Sequence, residues 1–227
     1  MPTASRTHRR VVRLLVLGVL LLPPAVGLAV WAGGKGAVLE RPVRGALGTL
    51  RGADERTSPS LRELCRQQGL SYPPPKPSLV LHKGRRELVL LSGGEPLTRY
   101  RVGLGGAPEG DKEREGDRRT PEGRFYVCTR LRQSRFHRFL GLSYPAPDDV
   151  ERGLAAGQIT RGEHRAILAA HQGRRQPSWS TALGGAIGIH GGGGQRDWTL
   201  GCIAVSDPEI EELFESLPLG TEIEIQP

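Results

Sequence analysis

Cysteine and aromatic residues are scarce in this 227-residue sequence, and each shortage excludes a class of protein. The three cysteines form no Cys-x-x-Cys pair, which argues against zinc-ribbon and thioredoxin-like domains. Aromatic residues make up only 5% of the chain, and no basic stripe is interleaved with them. Proteins that bind single-stranded nucleic acid need such a stripe. Nucleic acid is therefore not among the predicted partners.

Acidic residues are missing from the first 32 positions, which contain four arginines. The rest of the chain has 28 basic and 24 acidic residues, so most of it is only mildly positive. Leu14 to Ala32 is an uncharged stretch of 19 residues, about 28 Å long as a helix. Pro23 and Pro24 divide it, which also suits a signal peptide. Residues 1–32 are thus expected to be a cleaved signal peptide or a membrane anchor, with the remainder exported to the periplasm or cell envelope.

The chain after residue 32 is predicted to consist of a linker followed by one globular domain. Residues 33–70 are rich in glycine and charge, with a short helix expected after Ser60. The predicted domain is 71–227, since 37% hydrophobic residues suffice for one core. Cys65 is expected to pack on the short helix and Cys128 to lie in a strand. Whether these two cysteines form a disulfide stays open.

Alternating apolar residues predict a mainly β (α+β) fold, an open barrel or sandwich with a few peripheral helices. Leu79 to Leu91 is a hairpin around Lys-Gly-Arg-Arg, and further strands are expected over 97–104, 124–131, 186–190, 202–205 and 222–226. A helical insertion over 148–173 is indicated by a cap at Asp148 and Asp149 and a capping box at Thr160. Another capping box begins at Ser206.

The stretch IHGGGGQRDWTLGCIAV, residues 189–205, is the candidate functional segment. A zinc site is not indicated, because only Asp197 could join His190 and Cys202 as a ligand. A phosphate loop is not indicated either, since the glycines lack the following Lys-Ser/Thr. A tight turn would explain the glycines, but not the position of the cysteine.

A cysteine nucleophile explains more of this segment. His190 ends one predicted strand and Cys202 begins another, so neighbouring strands would bring a base to the thiol. Gly201 allows a carbonyl substrate to approach closely. The backbone N–H groups of Gly201 and Cys202 would then form an oxyanion hole.

These residues resemble the catalytic motif of the L,D-transpeptidase (YkuD-like) family, in which His-Gly is followed by Ser/Thr-x-Gly-Cys and an aliphatic residue. Here the motif reads IHG and TLGCI. The hairpin LVLHKGRRELVLL, the alternating strand 99–104, GDRRTPEGRFYV and LPLGTEIEI also agree, so the resemblance covers about 79–227. SRFHRFLGLSYP and DWTLGCIAVS are similar to a divergent YafK-like murein L,D-transpeptidase branch.

The resemblance implies that Cys202 is the nucleophile and His190 its base, with no metal and no cofactor. The amides of Gly201, Cys202 and Leu200 would form the oxyanion hole, and the Thr199 hydroxyl would order the loop. Two positions depart from the family pattern. Leu200 replaces a frequent His, and Ala204 replaces a frequent Arg or Asn.

The resemblance further implies acyl transfer on peptidoglycan stem peptides through a thioester. The departures leave the acceptor open, so the alternatives are a hydrolase that cuts cross-links or releases a wall-attached protein, and a non-catalytic wall-binding module. If the leader is not cleaved, the membrane is a further partner. The candidate substrate contacts are His137, Tyr144, Trp198, Gly191 and Arg119.

Overall fold

The structure is a computed structural model that describes residues 59–227. The predicted signal peptide or anchor and the linker up to residue 58 lie outside the described residues. None of the described helices is long and apolar enough to span a bilayer. The described elements, in chain order, are α1 (Leu61–Gln67), β1 (Pro77–His82), β2 (Glu87–Ser92), β3 (Glu95–Arg101), β4 (Gly123–Ser134), β5 (His137–Leu142), α2 (Pro147–Ala155), α3 (Arg161–Gln172), β6 (Gly188–His190), β7 (Ile203–Ala204), α4 (Asp207–Ser216) and β8 (Glu222–Gln226).

The strands form an open, curled sheet in the order β3-β2-β1-β8-β4-β5-β6-β7. β8 lies in the middle, parallel to β1 and antiparallel to β4. The segment after β3 pairs with the far edge of the sheet through Gly103–Ala204 and Gly105–Thr199 bridges. Because these bridges bring the two edges together, the sheet curls around one core. The predicted mainly β fold with peripheral helices is confirmed.

The β1–β2 hairpin forms because its leucines alternate along each strand. Leu79 faces Leu90 and Leu81 faces Leu88 across the antiparallel pair, and all four side chains are buried. Burying a leucine side chain contributes roughly 1.5–3 kcal/mol. The register of the hairpin is therefore fixed by its buried face, and the predicted hairpin itself is present.

Helix α1 belongs to the domain rather than to the linker. The Ser60 hydroxyl accepts the Glu63 N–H at its start, and Leu61 and Cys65 lie in the main core. The short helix expected after Ser60 is thus present and packs on the domain core, while the domain boundary at residue 71 stays a prediction. Cys65 and Cys128 are free thiols, so the two cysteines form no disulfide.

The helical insertion α2–α3 has a small core of its own. Val150, Ile159, Ile167 and Leu183 pack together, apart from the main cluster. The capping box at Thr160 is present, as predicted. The start of α2 was predicted wrongly: its N-cap is Ala146, and the Asp149 carboxylate accepts the Ala146 N–H at 2.7 Å.

Strand β5 was not predicted, although it connects the hairpin side of the sheet to the candidate site. It pairs with β4 on one side and with β6 on the other. Helix α4, which starts at the predicted Ser206 cap, packs against β5 and β6. These contacts hold the short strand β6 in place, and β7 is held by its pairing with β6.

Candidate active site

The predicted base and nucleophile come together through the pairing of β6 with β7. These strands run parallel, with Ile189 opposite Ile203 and His190 opposite Ala204. Cys202 directly precedes β7, and His190 ends the neighbouring β6. Both side chains line one cavity of about 460 Å³.

The cavity wall combines aromatic, apolar and charged groups. Its lining residues are Lys112, Glu115, Gly116, Arg135, Phe136, Trp179, Gly184, Gly185, Ala186, Ile187, His190, Trp198, Thr199, Leu200 and Cys202. Within residues 59–227, no three His, Cys, Asp or Glu side chains are grouped so that they could hold a metal ion.

His190 is held in one orientation by its neighbours. Its Nδ1 lies 2.6 Å from the Gly191 carbonyl oxygen, which can only accept, so Nδ1 carries the proton and Nε2 has a free lone pair. The Phe136 ring stacks on the imidazole at 4.7 Å, and the Trp198 indole meets it edge-on at 5.6 Å. Burial lowers the pKa of His190, against the opposing effect of the Gly191 hydrogen bond. The imidazole is therefore neutral near pH 7.

Cys202 is a protonated thiol in this arrangement. Burial raises its pKa to about 11, although a backbone hydrogen bond from Gly188 and the charge of Lys112 act in the other direction. Its Sγ donates to the Ala186 carbonyl at 3.5 Å rather than to the imidazole. A neutral imidazole and a neutral thiol thus share the cavity, and a proton must move when the sulfur attacks.

The loop before Cys202 is organised by one hydroxyl. Thr199 Oγ1 donates to the Cys202 carbonyl at 2.7 Å and accepts the Gly201 N–H at 3.1 Å. Gly201 has a φ of +134°, and a Cβ there would lie 2.6 Å from the Arg119 carbonyl oxygen. Only glycine fits this position without displacing backbone.

The predicted oxyanion hole needs a correction at Gly201. Its buried N–H already donates to Thr199 Oγ1, so it is not available to a substrate oxygen. The backbone N–H groups of Leu200 and Cys202 remain the candidate donors of the oxyanion hole. The Leu200 side chain is 74% exposed and lines the cavity.

Of the five predicted substrate contacts, Trp198 lines the cavity and Gly191 adjoins it. The Trp198 indole N–H donates to the Gly193 carbonyl at 3.1 Å, which holds the ring against the glycine loop. Gly191 contributes backbone, because its carbonyl orients His190 and a Cβ would lie 2.3 Å from Asp207 Oδ1.

The other three predicted contacts do not line the cavity. Tyr144 is fully buried, and its hydroxyl donates to the Leu183 carbonyl at 2.9 Å, so it is a core residue. His137 is exposed and turned toward α4, with Nε2 2.7 Å from Glu211 Oε1. The Arg119 guanidinium bonds the Asp111 carbonyl and the Glu113 carboxylate, so it shapes a loop.

Several cavity residues were missed from the sequence. Phe136 is the most important of them, since it stacks directly on the predicted base. It lies beside the predicted His137 in the turn between β4 and β5, where one position decides which side chain faces the cavity. Lys112 is almost completely buried, and its Nζ donates to Asp117 at 2.7 Å. The sequence around Lys112 is polar and charged, so nothing in it predicts a buried lysine.

Comparison with known proteins assigns the fold to a family. The family model for YkuD, the L,D-transpeptidase catalytic domain, matches residues 76–225, about two thirds of the chain. The chain belongs to this family. A search of curated proteins gave no match. The narrower resemblance to the YafK-like branch stays a prediction.

Solved structures of L,D-transpeptidases are similar to this chain at low identity. The L,D-transpeptidase from Xylanimonas cellulosilytica is 14% identical, with a TM-score of 0.39, over 72% of this chain and 68% of that one. The helical cell shape determining protein Pgp2 from Campylobacter jejuni is 18% identical, with a TM-score of 0.45, over 66% and 46%. Bd1075 from Bdellovibrio bacteriovorus is 20% identical, with a TM-score of 0.42, over 68% and 49%. The chain thus spans about half of the last two proteins, and family membership depends on the family model.

Proposed function

We propose that the chain is a cysteine-dependent L,D-transpeptidase that acts on peptidoglycan stem peptides through a thioester acyl-enzyme, in cell-wall cross-linking or remodelling. Its family implies peptidoglycan substrates in general. The observation that carries the proposal is the shared cavity of His190 and Cys202. The free Nε2 of His190 supports it further, because a base needs that lone pair.

The first half-reaction forms the thioester. Cys202 Sγ attacks the carbonyl carbon of an L,D peptide bond while His190 Nε2 takes the thiol proton. The carbonyl oxygen becomes an oxyanion, for which the Leu200 and Cys202 amides are the candidate donors. The C–N bond then breaks, and the imidazolium gives its proton to the leaving amine.

The second half-reaction releases the acyl group from sulfur. An amine from another stem, or from a wall-attached protein, loses a proton to His190 Nε2 as it attacks the thioester carbonyl. The C–S bond breaks, and the sulfur leaves as a thiolate that takes the proton back. If water attacks instead, the product is a trimmed peptide, and the enzyme is a hydrolase.

The test is to incubate the full chain with purified muropeptides, with and without an added D-amino acid, and to follow the products by mass spectrometry. We expect a thioester mass on the protein and a product that contains the D-amino acid. Cys202→Ala should abolish both species, and His190→Ala should abolish turnover. Cys128→Ala is the matched control, since burial raises the pKa of that thiol to about 12 and it lies in β4.

The outcomes separate the three hypotheses. Full activity in Cys202→Ala would end the thiol mechanism. Trimmed peptides that form equally with and without the amine would establish a hydrolase. Binding to wall fragments without an acyl-enzyme would indicate a non-catalytic module.

The proposed location of the enzyme is the periplasm or cell envelope. The uncharged stretch 14–32 behind four arginines supports export, with or without retention as a membrane anchor. Fractionation of cells and mass spectrometry of the mature N-terminus would separate the two forms. A cytoplasmic full-length protein would refute both.

A further inference from the structure

The β4–β5 hairpin gathers four arginines, which we call the arginine hairpin: Arg130, Arg132, Arg135 and Arg138. Three of their guanidinium groups surround one aromatic ring on α4. The distances from the Phe214 ring centroid are 4.4 Å for Arg130, 5.3 Å for Arg138 and 5.8 Å for Arg132. All three guanidinium groups are within cation–π distance of the ring, so their positive charges are held close together.

No carboxylate of the described residues forms an ion pair with these four arginines. The Nε of Arg130 is buried without a hydrogen-bond partner. Burial and the nearby Arg132 charge both lower the pKa of Arg130. The glutamates of the adjacent α4 are bonded elsewhere, to Ser206 (Glu209), His137 (Glu211), the Leu61 N–H (Glu212) and the Tyr72 hydroxyl (Glu215).

The arginine hairpin is continuous with the candidate active site. Arg135 and Phe136, at its turn, line the cavity. The Phe136 carbonyl accepts the Gly191 N–H at 3.0 Å, which fixes the turn beside the candidate base. The other three arginines lie on the strands that lead away from this turn, so an extended ligand that leaves the cavity past Arg135 would meet them.

We propose that the arginine hairpin binds the carboxylates of the peptidoglycan strand whose stem peptide enters the cavity. This proposal rests on the proposed function. Guanidinium groups bind carboxylates through paired, charge-assisted hydrogen bonds. Arg130 and Arg138 each donate one hydrogen bond to a backbone carbonyl, of Phe214 and Arg132 respectively. Arg132 and Arg135 are exposed, and none of the four has an acidic partner within residues 59–227, so the surface can accept carboxylates. Continuity with the cavity favours the substrate over an anionic lipid surface, because a lipid headgroup in a bilayer cannot reach along the hairpin into the cavity.

The test measures binding rather than turnover, in the full chain carrying Cys202→Ala. The ligands are one stem peptide with free carboxylates and the same peptide with its carboxylates amidated. Arg132→Gln with Arg138→Gln is compared with Arg161→Gln and Arg165→Gln, two exposed arginines of α3. Thermal unfolding of both double variants shows whether the fold is retained.

We expect the hairpin variant, which loses two guanidinium groups, to bind the free-carboxylate peptide at least about tenfold more weakly, since the loss of one charge-assisted contact alone predicts about that factor. Its affinity for the amidated peptide should not change, and the α3 variant should bind both peptides like the parent. Equal loss for both peptides, or equal affinity of the parent for both, overturns the proposal. Loss of binding to phosphatidylglycerol vesicles, with peptide affinity unchanged, would assign the surface to lipid and also overturn it.

The binding test is independent of the proposed chemistry. If the wild-type chain forms no acyl-enzyme and the hairpin variant still loses the carboxylate preference, the proposed function fails and the surface stands. If the wild-type chain turns over muropeptides and carboxylates make no difference, only the surface is refuted.

Discussion

Thr199→Val removes the hydroxyl that organises the loop before Cys202 and leaves the shape of the side chain nearly unchanged. The hydroxyl makes bonds of 2.7 Å and 3.1 Å to the Cys202 carbonyl and the Gly201 N–H. A buried polar group left without a partner costs about 1–3 kcal/mol. The cost applies to the buried Gly201 N–H, which loses its acceptor, whereas water can replace the hydroxyl at the carbonyl of the half-buried Cys202. We therefore expect a loss of about 2 kcal/mol.

A loss of that size lowers the Tm by roughly 4–8 °C in a domain of this length. Calorimetry of the variant measures it directly, and muropeptide turnover should fall at least about tenfold because the nucleophile loses its fixed position. Thr199→Ser keeps the hydroxyl and should retain most of the stability and turnover. A valine variant that melts and turns over like the wild type would refute the reasoning, as would a serine variant damaged equally.

Two further variants test the surroundings of the site. In Phe136→Ala, water reaches the His190 imidazole and the pKa of His190 rises toward the ordinary 6.5, so the acidic limb of the kcat/KM profile should move to higher pH. The control Phe136→Tyr should keep the wild-type profile. An acidic limb that does not move in the alanine variant would contradict this prediction. Burial favours a raised pKa for Asp117, but Lys112 and three backbone N–H groups outweigh it and lower the pKa. The Asp117 carboxylate thus stabilises the fold above its unfolded pKa of about 3.9, and this contribution is lost as the pH falls through the lower folded value. In Asp117→Asn, melting curves from pH 2 to 7 should show reduced stability at neutral pH and a smaller loss on acidification; a curve parallel to the wild type would count against the pairing.

Local signals carried most of the fold prediction. The β1–β2 hairpin has alternating leucines, and the last strand was predicted within its observed bounds, Glu222–Gln226. The capping boxes at Thr160 and Ser206 are also local, since donor and acceptor lie three residues apart. Strand β5 was missed because its turn, Arg135-Phe136, contains none of the residues that usually mark hairpins.

The residues of the candidate site likewise fall into two groups, those that local sequence predicts and those that depend on tertiary contacts. Glycine before Cys202 and a hydroxyl at Thr199 could be interpreted from the sequence, because their bonds stay within the loop. The buried position of Tyr144 could not be predicted in this way, because its hydroxyl donates to the carbonyl of Leu183, 39 residues away. The stacking of Phe136 on His190 likewise depends on β5 pairing with β6, which nothing near either residue encodes.

The central position of β8 has a consequence for the order of assembly. Ser78 of β1 pairs with Glu222, 144 residues later, and β4 pairs with the other side of the same strand. β1 and β4 are therefore joined only through β8, which is made after both of them. Until residues 222–226 have left the ribosome, both edges are open to pairing with other chains. Completion of the sheet therefore waits for β8, and the nascent chain depends on being kept from aggregating until that strand is available.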